Sequence, residues 1–159
     1  MVQDKYNLLE KLLAKIGNNA EVIAGAAQYS RQAAIDAPGR NQSRYDSSRE
    51  EQGYLADGLN LRRQQIITGI HEAGATQLPQ RPESVMVGTL VRLDQDGQTS
   101  DYFVLSYGAG NWIESEEGEV LVITPNSPLF QAMKGKKKNE EFSFSLDRRR
   151  MQYKIVDIL

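Results

Sequence analysis

Cysteine is absent from the chain, so disulfides and thiolate metal sites are excluded outright. Histidine occurs once, at His71, which rules out a histidine-rich zinc site and most histidine-dependent catalysis. No run approaches the roughly 20 apolar residues needed to cross a bilayer. The opening Met-Val-Gln-Asp-Lys-Tyr lacks the charged-then-apolar order of a signal peptide. A cytoplasmic protein with no membrane partner is the expectation. Net charge is −2, which exerts no global pull toward nucleic acid.

What is present describes a soluble globular protein of one ordinary domain or two small ones, with 159 residues, 40% hydrophobic and 25% charged. Residues 4 to about 36 read as one long helix. Leu9, Leu13, Ile16, Ala20, Ile23, Ala27, Ser30 and Ala34 recur at alternating spacings of four and three, the seam of a coiled coil. Gly17 and Gly25 weaken that helix by about 1 kcal/mol each relative to Ala, so a break near Gly17 is one expectation. Pro38-Gly39 is a turn signal. Beyond it Ser43-x-x-Asp46 has the form of a capping box. Tyr45, Ser48, Gln52, Leu55, Leu59, Arg62 and Ile66 then repeat the rhythm in a return helix from about Ser43 to Glu72, ended by Gly74. Gly53 is expected to permit close packing or slight bending of that helix. Each arm would be on the order of 45 Å long, a protruding rod.

Residues 77–83, with Pro79 and Pro82, read as a stiff linker. From Ser84 the pattern changes to period two and to β-formers. Expected strands are Val85 to Leu93, Ser100 to Tyr107, Glu119 to Thr124, Glu141 to Leu146 and Met151 to Ile158, the last two closing as a hairpin around Asp147-Arg148-Arg149-Arg150. Pro125-Asn126-Ser127-Pro128 should cap a short helix, Leu129 to Lys134, with Pro early in the helix. The expected architecture is α+β: a helical hairpin over 1–76, the linker, and a mainly antiparallel sheet with one short helix over 84–159.

Charge is uneven locally. Between Arg31 and Arg49 stand four arginines (31, 40, 44 and 49) against Asp36 and Asp46, so the hairpin tip is basic. Asp46 fits a helix cap better than a metal ligand, and Asp36 fits a solvated charge near a helix end. Arg40, Arg44 and Arg49 suit contacts to RNA or phosphates, or equally a solvated helix face. Lys134 to Lys138 reads as a helix-end charge cluster. Trp112 fits either the core or an exposed anchor, and His71 a surface or junction position.

These motifs, in this order, resemble the GreA/GreB family of bacterial transcript cleavage factors. Tyr45 followed by Arg49-Glu50-Glu51-Gln52-Gly53-Tyr54 is similar to the family's Tyr and Arg-Glu-Gln-Gln-Gly-Phe after the tip. Ile123 to Lys137, containing Ser127-Pro128 and Gly135-Lys136-Lys137, resembles its Ser-Pro…Gly-Lys-Lys signature, and Tyr153-Lys154-Ile155-Val156-Asp157-Ile158 resembles its ending. The resemblance implies an FKBP-like second domain docking on RNA polymerase through Asn126, Ser127, Pro128 and Leu129. It also implies a hairpin that enters the polymerase secondary channel, tip first, with Pro38, Gly39, Arg40, Asn41, Arg44, Tyr45 and Arg49 foremost. In active factors an Asp and a Glu at the tip help hold Mg²⁺ at the polymerase active centre, since this hard cation prefers carboxylate oxygens. Here those acidic positions fall on Pro38 and Asn41, and a third on Arg44. The implied function is therefore a monomeric regulator of elongation, pausing or initiation that contacts polymerase and nascent RNA or other nucleic acid. It would have no cofactor or catalytic residue of its own and little or no cleavage stimulation.

Rival readings are an active cleavage factor using Asp36 or Asp46, and an FKBP-like prolyl isomerase or chaperone. The latter needs an aromatic-lined pocket, and fold analogy alone does not carry its activity. A binder of nucleotide-pool enzymes is a third reading. The sequence leaves all three open.

Overall fold

The structure, a computed structural model, describes residues 2–36 and 48–159. Element order is α1 (Val2–Asp36), α2 (Ser48–Gly74), β1 (Leu90–Gln95), β2 (Gln98–Val104), β3 (Trp112–Ser115), β4 (Gly118–Ile123), α3 (Pro128–Met133), β5 (Glu141–Leu146) and β6 (Arg149–Ile158). The class is α+β, as the change of hydrophobic period implies. Contacts group the chain into two compact units, Met1–Leu13 with Gly69–Leu159, and Ala14–Thr68. By packing, the outer ends of both helices go with the sheet.

In the second unit the expected seam of α1 is the buried one: Ile16, Ala20, Ala27 and Ser30 are all buried. The helix is unbroken at Gly17. On α2 the expected seam is displaced by one residue over part of its length. Leu55 is half exposed while Ala56 is buried, and Arg62 is exposed while Arg63 is partly buried. The observed rhythm, Gln52, Ala56, Leu59, Arg63 and Ile66, keeps the three-four alternation. Leu55 misled because its hydrophobicity outweighed the smaller Ala56 as a sequence signal, whereas packing selects the residue whose Cα faces the partner helix. Space around Gly53 is open, so the close packing expected there is absent.

In the first unit the six strands form one sheet in the order β3-β4-β2-β1-β6-β5. β2 and β4 pair in parallel, and the other neighbours are antiparallel. One face packs against α3 through Val91, Leu93, Val104, Ile123, Phe130, Met133, Phe142 and Ile155. Phe103, Leu105, Val120 and Val122 are also buried and alternate with that set, so they line the opposite face. Burial of a side chain of this size contributes about 1.5–3 kcal/mol.

Three expectations in this unit are corrected. The first strand begins at Leu90, not Val85, because Gly88 turns the chain with φ 90°, and Thr89 donates to the Met86 carbonyl from both its N–H (3.2 Å) and its hydroxyl (2.7 Å). Val85 instead exchanges backbone hydrogen bonds with Gly135 and Lys136 at 2.8–2.9 Å. The second strand spans Gln98–Val104, shifted toward the Asp96-Gly97 turn. Trp112–Ser115 is a strand the sequence reading missed, four residues long and at the sheet edge. Its signal was too short for a period to register.

The segment between α2 and β1 is anchored. Leu78 is buried, and a Cβ on Gly88 would stand 2.0 Å from the Gln77 carbonyl oxygen. Lys5 of α1, fully buried, donates from Nζ to the carbonyl of Pro79. Burial pushes its pKa below the usual lysine value.

Candidate functional site

The Asn126–Leu129 segment is built by the end of β4 and the start of α3. Pro125 and Pro128 stop the strand and set φ for the helix start. The Ser127 N–H donates to the Thr124 carbonyl at 2.8 Å, and the Gln131 N–H donates to the Ser127 carbonyl at 3.0 Å. Gln131 Nε2 reaches back to the Pro125 carbonyl at 2.6 Å. The turn is thus braced through its backbone. Ser127 occupies the N-cap position, but its hydroxyl makes no capping bond, contrary to the expected side-chain cap. Phe130 and Met133 anchor the inner side of α3 in the core. Asn126 and Pro128 are exposed, and Ser127 and Leu129 partly so. A firmly held, mixed polar and apolar corner results, suited to meeting a protein surface.

At the hairpin end, Pro38, Gly39, Arg40, Asn41, Arg44, Tyr45 and Asp46 lie outside the described residues. Asp36 and Arg49 are described, and both are exposed. Asp36 is the last residue of α1, where the helix dipole disfavours an anion; Arg49 is in the first turn of α2, where it disfavours a cation. Neither charge serves its own helix. Asp36 Oδ1 accepts a hydrogen bond from Gln32 Nε2 at 3.0 Å. Among the described residues no group of three or more acidic, His or Cys side chains could hold a metal ion. Asp36 alone offers too few oxygen donors to hold Mg²⁺.

Sequence reasoning missed a charged cluster on the sheet face opposite α3. Arg92 on β1 grips Asp101 on β2 with two hydrogen bonds of 2.7 Å, Nε to Oδ1 and Nη2 to Oδ2, and Nη2 also reaches Glu117 Oε2. These bonds, Asp101 first, hold the guanidinium charged. The signal was present: closing a two-residue turn at Asp96-Gly97 pairs Gln95 with Gln98 and places Arg92 opposite Asp101. The cluster borders a cleft of about 330 Å³, also lined by Asp4, Asn7, Leu8, Glu10 and Lys11 of α1. Lys11 Nζ donates to the Glu114 carbonyl at 2.8 Å beside it.

A transcription elongation factor GreA from Saccharopolyspora erythraea is 26% identical to this chain over 151 residues, which cover 92% of the chain and 84% of that protein. The chain is similar to a GreA factor along nearly its whole length, at a divergent level of identity. No family model matches the sequence. Among solved structures, the GreA factor homolog 1 (Gfh1) of Thermus thermophilus is similar at 15% identity and a TM-score of 0.38, over 92% of this chain and 94% of that one. Gfh1 of Thermus aquaticus is similar at 16% identity and a TM-score of 0.38, over 98% and 94%. Of the eight aromatics between residues 84 and 159, Phe103, Phe130 and Phe142 are buried and Trp112 is exposed. Phe142 also stacks on Tyr153 with ring centroids 5.5 Å apart.

Proposed function

We propose that this chain binds RNA polymerase, presents its helical hairpin to the secondary channel and modulates elongation, pausing or initiation. The observation that carries this reading is the similarity to a transcription elongation factor GreA across 92% of the chain. That span includes both the hairpin and the sheet. The braced corner Asn126-Ser127-Pro128-Leu129 serves as the polymerase-docking surface, and Arg49 with the tip residues Pro38, Gly39, Arg40, Asn41, Arg44 and Tyr45 faces the channel.

The finer reading is that the factor stimulates transcript cleavage little or not at all. Pro38 offers no ligand, Asn41 is neutral and Arg44 carries the wrong sign for stabilising a second cation. Asp36, the described carboxylate nearest the tip, is engaged by Gln32. The protein then acts as a regulator, and any bond-breaking chemistry belongs to the polymerase.

Purified polymerase and stalled elongation complexes test both levels. The chain is expected to co-elute with polymerase, and Ser127→Arg to weaken that association at least tenfold. Transcripts in stalled complexes are expected to keep their length. Failure to bind polymerase overturns the first level. Robust transcript shortening that disappears in Asp36→Ala or Asp46→Ala overturns the second and restores the cleavage-factor reading.

A further inference from the structure

We propose that the β5–β6 turn is a contact for the phosphate backbone of nucleic acid. The observation that first singles it out is conformational. Asp147 and Arg148 both adopt left-handed φ, 49° and 67°, between the paired residues Leu146 and Arg149. The same two-residue turn joins β1 and β2, where Asp96 has φ 53° and Gly97 φ 84° between the paired Gln95 and Gln98. There the second position is glycine, the residue that this turn type prefers. At the β5–β6 turn the same position is an arginine, whose Cβ opposes the left-handed conformation. Folding alone favours glycine at that point, so the arginine side chain has to be accounted for by what it meets.

The second observation is electrostatic. Residues 147–150 hold three arginines against one aspartate, and all four are exposed. Among the described residues, no carboxylate pairs with Arg148, Arg149 or Arg150; Arg150 Nη2 touches only the Ser143 hydroxyl, at 3.2 Å. Elsewhere in this unit Arg92 on β1 and Lys138 in the loop before β5 each meet a carboxylate at 2.7 Å. The cations of the turn are left for a partner.

The third observation is the surface that continues from the turn. β5 is the last strand of the sheet. Its register pairs Ser145 with Arg150, Ser143 with Gln152 and Glu141 with Lys154, so these six side chains share one exposed face. Five can donate hydrogen bonds, and the acids beside them, Glu141 and, on the neighbouring β1, Asp94 opposite Lys154, stand at the end away from the turn. Hydroxyl, amide, guanidinium and ammonium donors repeated along a strand suit a chain of phosphates, which offers acceptors only. The protein's overall charge of −2 makes this a local site, not a general basic surface.

This inference does not depend on polymerase binding, and its test uses nucleic acid alone. The full-length chain is titrated into a labelled single-stranded RNA and, separately, a labelled DNA duplex, with fluorescence anisotropy read over a range of salt. The expected result is salt-dependent binding to one or both, weakened about tenfold or more in the Arg148→Ala/Arg149→Ala/Arg150→Ala variant. The slope of log affinity against log salt should fall by about two. Arg150→Gln leaves the turn backbone alone and serves if the triple variant does not fold; it should reduce the slope by about one. Arg148→Gly should raise thermal stability yet weaken binding. The proposal is overturned if the wild-type chain binds neither probe at low salt, or if the arginine variants bind as well as wild type. It is equally overturned if poly-glutamate competes as strongly as RNA per charge, which would make the turn a site for acidic protein.

Discussion

The ring of Tyr107 occupies the space that a methyl group on Gly69 would need: a Cβ there would stand 2.3 Å from Tyr107 Cζ. Glycine in the interior of α2 costs that helix about 1 kcal/mol relative to alanine. In return the loop after β2 seats an aromatic ring directly on the helix backbone. Gly69→Ala is therefore expected to destabilise the protein by about 1–2 kcal/mol net, as overpacking outweighs the gain in helix propensity. In a Tyr107→Ala background the sign should reverse, because only the propensity gain is left. Urea unfolding of the four proteins of this cycle measures the coupling; equal effects in both backgrounds would refute the contact.

The hairpin glycines behave oppositely. Around Gly25 and Gly58 nothing lies within 4 Å of a built Cβ, and both are exposed. Gly25→Ala and Gly58→Ala should each stabilise the hairpin by up to about 1 kcal/mol. A higher melting temperature for each checks this.

Lys5 supplies a pH dependence. Its folded pKa lies below the unfolded value of 10.5 because burial disfavours the charged form. Between the two values the unfolded chain binds more protons, so the contribution of this group to stability increases as pH rises through the folded pKa toward 10.5. Stability of the wild type should therefore climb relative to Lys5→Met over that alkaline range. Parallel stability–pH curves would show that Lys5 keeps an ordinary pKa.

The Arg92 cluster predicts an asymmetry. Removing Glu117, whose side chain is 70% exposed, should cost no more than about 1 kcal/mol. Arg92→Ala strips Asp101, only 13% exposed, of both its strong hydrogen bonds and should cost about 1–3 kcal/mol. Equal losses in chemical denaturation would mean that Asp101 is better solvated than its position implies.

Much of the fold was legible in the residues. The three-four spacing from Ile16 to Ser30 found the inner face of α1, though nearer its start the fully buried Leu12 takes the place expected for Leu13, and alternating β-formers found β4, β5 and β6 closely. Where the reading failed, a neighbour distant in sequence had decided the matter. Leu55 loses its place in the seam to Ala56 because two packed helices admit whichever residue faces the contact. Val85 leaves the first strand because Gly135 and Lys136 take its backbone hydrogen bonds. Ser127, a strong N-cap residue by type, leaves its hydroxyl out of the cap because the chain is already braced by Gln131 and the Thr124 carbonyl. Of the candidate site, the Asn126–Leu129 corner and the helix-end positions of Asp36 and Arg49 came from motif and spacing. The Arg92–Asp101–Glu117 cluster did not.

The sequence by itself determined the helical hairpin, the change to a sheet and the family likeness, because periodicity, turn chemistry and motif order are local properties of the chain. It also determined the residue types at positions 38, 41 and 44, Pro, Asn and Arg, none of which carries a carboxylate. Only the tertiary structure decided which side chains share a face, which carbonyl receives the buried Lys5 ammonium and which arginines are left without a carboxylate. Those outcomes depend on strand register and on contacts between residues far apart in sequence, such as the 74 positions that separate Lys5 from Pro79.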